Sequence, residues 1–388
     1  MSVASAAPRP ACDADVVVVG AGAAGAATAY HLAARGWRVR ILDAGSLPRP
    51  KPCGGGMAAS VQRLFPFDLS PAVDRVITKV RFTWCLEDPV IAELPGEAPF
   101  WIVRRSRLDH LLAEQAVGCG ADLLEATAVE RITREGDHWR VHNSAGGWIS
   151  CRAVVIADGA RSAFGQPLGL GSPQPRYASA VAVEVDAEVL EPSTAHFEFG
   201  LVRHGFSWIF PRQGGLSIGV GSFIGREPLE SEAVLARLLP SFGLPPDSGE
   251  RRVSPLRVWD GHHRLHHDAG VLVVGDAASL VDPFLAEGLR PALLSGTRAA
   301  EALDRWLRGE AGALAGYSER MRSEWGQSMA WGRRIAQVFY RLPRVGYQLG
   351  VKRPTAPRRI AQILSGEMGY GDIAQRVIRR LMFNRSQS

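Results

Sequence analysis

Apolar positions in this chain fall into two rhythms, and a third appears near its end. Val16-Val17-Val18-Val19, Ile41-Leu42, Val154-Val155-Ile156 and Val271-Leu272-Val273-Val274 are short, largely β-branched runs without polar interruption. Strands of that kind are apolar on both faces, which predicts a parallel sheet covered by helices. Between positions 170 and 260 the segments Ala178–Val185, Ala195–Leu201, Ser207–Phe210 and Leu216–Ser222 predict antiparallel strands separated by turn residues. Beyond residue 311 the spacing turns helical, with Ile335, Val338, Phe339 and Leu342 forming one apolar face bordered by Arg333, Arg334, Arg341 and Arg344. Leu342-Pro343 and Arg353-Pro354 predict breaks between these helices. The predicted class is α/β: a parallel sheet, an antiparallel sheet and a helical C-terminal region.

Chemistry enters at the end of the first strand. Gly20-Ala21-Gly22-Ala23-Ala24-Gly25 follows it directly, a helix is predicted from Ala26, and Asp43 closes the next strand 18 positions after Gly25. Gly20 suits a tight turn, Gly22 the close approach of a pyrophosphate beside Ala24, and Gly25 close helix packing, while Asp43 stands where a ribose needs an acceptor. The pyrophosphate then meets the amides of a helix N-terminus. This Rossmann-like fingerprint implies NAD or FAD. Two later segments favour FAD: a strand ending in Asp158-Gly159, and another ending in Gly275-Asp276, where Asp276 can accept from a ribityl hydroxyl. A helix predicted to start near Leu285-Ala286-Glu287-Gly288-Leu289 then points its amides at the flavin.

The order of these segments, with Val103-Arg104-Arg105-Ser106-Arg107-Leu108-Asp109 between them, resembles the p-hydroxybenzoate hydroxylase-like superfamily of FAD-dependent enzymes over residues 13 to 310. The resemblance implies that Arg105, placed just before a helix over 108–116, contacts the flavin region. Lys51-Pro52-Cys53-Gly54-Gly55-Gly56 is similar to the Pro-Cys-Gly-Gly signature of geranylgeranyl reductases within it. Phe206-Ser207-Trp208-Ile209-Phe210-Pro211, with seven residues before Gly219-Val220-Gly221, resembles their aromatic substrate motif, Phe206 standing in place of the usual Tyr. Alternation puts Phe206, Trp208 and Phe210 on one strand face, suited to an isoprenoid slot. Three glycines let backbone pass tight against a flavin ring, which sets Cys53 beside it as a candidate proton donor.

The resemblance implies a flavoprotein that reduces isolated double bonds of a prenyl-chain lipid or prenyl diphosphate, with NADPH or reduced ferredoxin as electron donor. The rivals are a monooxygenase or halogenase on the same scaffold, and a non-catalytic prenyl-lipid binding module. The expected organisation is a tail at 1–12, a FAD-binding domain from 13–80, 104–165 and 262–310, a substrate domain from 81–103 and 166–261, and helices over 311–388.

Charge changes the picture at the C-terminus. The net +6 conceals a segment, Ser318 to Ser388, with 14 Arg and Lys against 4 Asp and Glu. Such helices either cap a domain or lie on anionic lipid headgroups, and the cap is the favoured reading. Nucleic acid is not an expected partner, since no reading motif accompanies the arginines. Cys12, Cys53, Cys85, Cys119 and Cys151 have neither zinc nor disulfide-scaffold spacing. No metal is expected, although His262, His263, His266 and His267 cluster. With no signal-peptide core and no run of 18 uncharged apolar residues, the expected location is cytoplasmic, with peripheral membrane contact an open alternative.

Overall fold

The computed structural model describes residues 12–96, 99–223, 230–261, 264–353 and 355–376. Residues 1–11 of the expected tail, His262, His263, Pro354 and the last twelve positions lie outside the described residues.

In chain order the first elements are β1 (Ala14–Val19), α1 (Ala23–Ala33), β2 (Val39–Leu42), β3 (Gly56–Ala58), β4 (Val73–Ile77), β5 (Lys79–Trp84), β6 (Glu87–Glu93) and β7 (Phe100–Val103). Then come α2 (Arg105–Gly118), β8 (Asp122–Leu124), β9 (Val129–Glu135), β10 (His138–Asn143) and β11 (Trp148–Ile156). The middle of the chain forms β12 (Arg176–Asp186), β13 (Thr194–Phe199), β14 (Gly205–Arg212), β15 (Gly215–Ser222), α3 (Ser231–Leu238) and β16 (Arg252–Val258). It closes with β17 (His266–His267), β18 (Val271–Val273), α4 (Leu289–Leu307), α5 (Ala313–Met321), α6 (Gln327–Arg341), α7 (Pro343–Gly350) and α8 (Ala356–Leu364).

The fully apolar strands do what their composition dictates. β18, β11, β1, β2 and β8 lie side by side in parallel, and the central β1 and β11 are buried along nearly their whole length. Helix α1 lies against β1 and β2, and α4 packs on α1 behind it, so on this side the strands have no solvent face on which polar residues would be favoured. The second sheet has order β16-β12-β15-β14-β13-β5-β6 and is antiparallel except where β13 runs parallel to β5. A three-stranded sheet, β3-β7-β4, touches β14 of the second sheet and helix α4.

The seven-stranded sheet has two distinct faces. On one, Val183, Ile209 and Ile218 pack beneath Leu235 and Leu238 of α3. On the other, Phe197, Phe206, Trp208 and Phe210 join the core shared with the parallel sheet and the C-terminal helices.

Three helix expectations need correction, those for α1, α2 and α6. α1 begins at Ala23, not Ala26, because Gly22 already serves as its N-cap. α2 begins at Arg105 itself, so Arg105 is a helix residue and not a residue preceding one. α4 begins at Leu289, the last residue of its predicted start: the Asp282 side chain accepts from the amides of Phe284 and Leu285, and Ala286 has φ +56°, which holds the preceding stretch as a turn. The single apolar face expected on α6 is split, since Phe339 is buried and Ile335 half-buried while Val338 and Leu342 face solvent.

Candidate cofactor and substrate site

The fingerprint turn is built by steric necessity. A Cβ on Gly20, whose φ is +104°, would come within 2.6 Å of the Ala157 carbonyl oxygen, and one on Gly25 within 1.9 Å of the Gly20 carbonyl oxygen. Gly22 is different: a Cβ there would meet nothing within 4 Å, and it borders the cavity. Its backbone caps α1 with no side chain bonded to the first-turn amides, leaving those donors for an anion. Asp43 is buried and accepts from the Ala21 amide at 2.6 Å and the Gly45 amide at 2.9 Å. Both its oxygens are also held by the Arg49 guanidinium. Burial opposes its charge, but Arg49 and the two amides outweigh it and hold the carboxyl below the usual range.

One cavity gathers most of the residues singled out in the sequence. Gly22, Ala24, Cys53, Gly54, Gly55, Gly56, Arg105, Phe206, Trp208, Phe210, Asp276, Glu287 and Gly288 all line it. Gly20, Gly25, Asp43, Asp158, Gly275, Pro211, Gly219 and Gly221 do not, and act on it from behind or stand apart from it. Gly275, at φ +60°, turns the chain and its amide bonds to Ser295 at 3.0 Å. Asp158 keeps a buried Oδ1 without a partner, and burial raises its carboxyl.

The glycine run after Cys53 is explained first by protein neighbours. A Cβ on Gly55, at φ +78°, would lie 2.2 Å from the Val103 carbonyl oxygen, and one on Gly54 would press on Phe210 and Trp208 at 3.0 Å. Half-buried Cys53 receives a hydrogen bond on Sγ from the Gly55 amide at 3.3 Å, and its carbonyl accepts from Arg212 at 3.2 Å. The thiol is therefore fixed at the cavity wall where the glycine loop meets the aromatic strand.

Around it stands an unusual set of charges. Arg105 is buried and forks onto Asp109 at 2.7 and 3.1 Å. Burial works against its charge, but the Asp109 carboxylate more than restores it, raising its pKa. Burial raises Asp276, against Lys51 and Arg105, which pull it down. Glu287 pairs with Arg290 at 2.8 Å while its Oε1 has no partner, and burial pushes it up to about 7.

The aromatic motif has a register explanation. β14 and β15 form a hairpin in which Phe206 faces Gly221 and Trp208 faces Gly219. A Cβ on Gly219 would lie 1.9 Å from the Trp208 ring, and one on Gly221 2.3 Å from Phe223. The glycines are seats for aromatic rings, which is why their spacing from Trp208 is fixed. On the neighbouring β12, Ala182 faces Gly219 and Ala180 faces Gly221, and both alanines line the cavity. Small side chains on two strands thus leave the hollow that the aromatics wall. Pro211 lies on the opposite strand face and takes no part.

Several contributors escaped the sequence reading. Phe197, on β13, meets Phe210 and Phe206 with ring centroids 5.2 and 5.5 Å apart, and Phe100, Phe223 and Leu364 complete the wall. Strand alternation flags Phe197, but the others come from distant elements with no shared motif. Among the described residues no group of three His, Cys, Asp or Glu is placed to hold a metal, and His266 bonds to Ser318 Oγ at 2.7 Å.

A parallel sheet whose glycine turn feeds a helix N-terminus, with Asp276 and the uncapped N-terminus of α4 on the same cavity, defines a dinucleotide-binding oxidoreductase. The chain belongs to the FAD-dependent oxidoreductase family, whose family model matches residues 15–55 and 97–306. It is 31% identical over 336 residues to digeranylgeranylglycerophospholipid reductase 2 of Methanothermobacter thermautotrophicus, covering 81% of this chain and 85% of that one. It is 30% identical over 380 residues to menaquinone reductase of Mycolicibacterium smegmatis, covering 89% and 88%. Among solved structures, a geranylgeranyl bacteriochlorophyll reductase-like protein of Thermoplasma acidophilum shares the fold with TM-score 0.76 at 20% identity, over 91% of each chain. A flavin-dependent brominase shares it with TM-score 0.70 at 18% identity, over 97% of this chain and 100% of that one.

The residues fit FAD. Open space at Gly22, uncapped amides on α1 and α4, and the unpartnered buried oxygens of Asp158 and Glu287 are features the protein alone leaves unsatisfied.

Proposed function

We propose that this enzyme reduces isolated carbon–carbon double bonds in the prenyl chain of a lipid. The observation that carries the reading is the apolar hollow of Ala180, Ala182, Phe197, Phe206, Trp208 and Phe210 ending at Cys53 and the glycine loop. Such a wall offers dispersion contact, and its one side-chain donor, the Trp208 indole N–H, is turned to Ser217 Oγ at 3.5 Å, which suits a chain without polar groups. The relatives named above as acting on digeranylgeranylglycerophospholipid and menaquinone support it.

In this reading residues 13–80, 104–165 and 262–310 hold FAD, and 81–103 with 166–261 hold the substrate. Gly22 and the α1 amides take the pyrophosphate, and Asp43 and Asp276 take ribose and ribityl hydroxyls. Arg105, Gly54 to Gly56 and the Gly288 amide face the flavin. FAD, once reduced, supplies a hydride equivalent to one alkene carbon. The protein's part is to exclude water with aromatic side chains, hold the chain extended, and deliver a proton to the other carbon from Cys53 Sγ or a water it orients. No second nucleotide fingerprint is visible, so NADPH or a reduced ferredoxin would visit the flavin face transiently.

The test is anaerobic. The dithionite-reduced holoenzyme, freed of excess dithionite, is mixed with geranylgeranyl diphosphate, which has no reducible group besides its alkenes, and flavin reoxidation is followed beside the mass of the lipid. Two mass units gained per double bond, with the rate falling roughly 100-fold or more in Cys53→Ala, is the expected outcome. Reoxidation only on admitting oxygen, with the lipid unchanged, would overturn the proposal in favour of the monooxygenase or halogenase chemistry that the brominase likeness keeps in view.

A further inference from the structure

Helices α6 and α7 meet at Leu342-Pro343 and together show an unusual outer face. Val338, Leu342, Val345 and Leu349 are 71, 61, 49 and 55% exposed. Eleven large apolar side chains are exposed among the described residues, and four of them fall in these twelve positions, so exposure is concentrated at this junction. Val338 and Leu342 lie one turn apart at the end of α6, and Val345 and Leu349 one turn apart on α7, so each helix contributes a pair to the junction, where Leu342 is non-helical at φ −129° and ψ 64°.

The stripe does not come from loosely held helices. On the inner side Phe339 meets Phe199 and Phe284, each with ring centroids 5.3 Å apart. The Tyr340 hydroxyl donates to the Phe284 carbonyl at 2.8 Å, and the Tyr347 hydroxyl to the Phe82 carbonyl at 3.2 Å. Phe199 in turn meets Phe206 at 5.9 Å, and Phe206 lines the cavity. The exposed stripe is thus two aromatic layers from the cavity, on elements firmly anchored to its wall.

Charge selects the partner. From Trp325 to Gly366 the sequence has eight Arg and Lys and no Asp or Glu. Arg334, Arg341 and Arg344 are exposed beside these residues, and Lys352 pairs with Asp88 at 2.7 Å. An apolar stripe bordered by cations is complementary to a surface that is apolar within and anionic at its rim. No helix among the described residues is long and apolar enough to cross a membrane, so the contact lies in the interface plane.

We infer that the α6–α7 face docks this protein onto an anionic lipid bilayer, Val338, Leu342, Val345 and Leu349 entering the acyl boundary while Arg341 and Arg344 pair with headgroup phosphates. The sequence pattern alone favoured a plain helical cap; the structure shows that Phe339 and Tyr340 serve as the cap, leaving a second apolar face unassigned. The inference rests on exposure and charge, and stands whatever the enzyme's substrate.

The full-length holoenzyme is cosedimented with vesicles of phosphatidylcholine alone or mixed with phosphatidylglycerol, at low and high salt. Binding to the anionic vesicles, weakened by salt, is expected, with a loss of about 30-fold in Arg341→Ala/Arg344→Ala and of all measurable binding in Val338→Asp/Leu342→Asp. The changed side chains are exposed, so the flavin absorbance and melting temperature should match the parent. Equal binding to neutral and anionic vesicles, or unchanged binding in the aspartate variant, overturns the inference. So does a parent that ignores vesicles yet sediments as a dimer that Val338→Asp/Leu342→Asp converts to monomer, which would make the stripe a self-interface.

Discussion

Gly22 and Gly25, three positions apart in one turn, do opposite jobs. Gly25 is required by the protein itself, since its Cβ would overlap the Gly20 carbonyl, whereas Gly22 faces open space at the cavity. Gly22→Ala should leave the flavin-free protein with an unchanged melting temperature and weaken FAD binding at least about 10-fold, the added methyl standing where the pyrophosphate belongs. Gly25→Ala should lower stability by about 3 kcal/mol or more, because two backbones cannot move apart cheaply. Flavin fluorescence quenching and thermal melting separate the two effects. Both glycines were legible in the sequence, because their roles depend on local turn geometry. Asp43 was legible only in part: its place after β2 follows from spacing, but its grip by Arg49 does not.

At the scale of elements, the β14–β15 hairpin turns a motif into a shape. Its register puts Gly219 under Trp208, and the contact is between a ring and a strand backbone. Gly219→Ala must displace the indole toward the cavity. We expect a loss of about 1–3 kcal/mol in urea unfolding, a red shift in tryptophan emission, and a narrowed substrate slot seen as a raised KM with kcat less affected. The aromatic half of this motif was legible from alternation. The reason for its glycines was not, because cross-strand facing depends on a turn at residues 213 and 214. The same limit explains α6, where helical period identified Phe339 and Val338 as one face, although packing on Phe199 takes only the first.

Across the whole molecule, folding brings carboxyl groups from separate segments into poor solvent. Asp158, Glu198, Asp276, Asp282 and Glu287 are all raised by burial. Glu287 reaches about 7 against an ordinary 4.5, so the folded state binds its proton more tightly than the unfolded one. Stability from this group is therefore full below pH 4.5 and declines as pH rises through 7. In flavin-free protein, Glu287→Gln should gain on the parent across that window by up to about 3 kcal/mol, read as a growing difference in urea midpoint between pH 5 and pH 8. A difference that stays constant or shrinks with pH would show that Arg290 keeps Glu287 charged throughout. What the sequence determined by itself were the features set by short-range geometry: buried apolar strands, the glycine turn at Gly20 to Gly25, the strand face of Phe206, Trp208 and Phe210, and the basic C-terminal run. Only the tertiary structure decided which of these share a cavity. Cys53, Arg105, Trp208 and Asp276 lie far apart along the chain, and the packing of two sheets and a helical layer, whose energy comes from contacts between distant segments, brings them to one cavity.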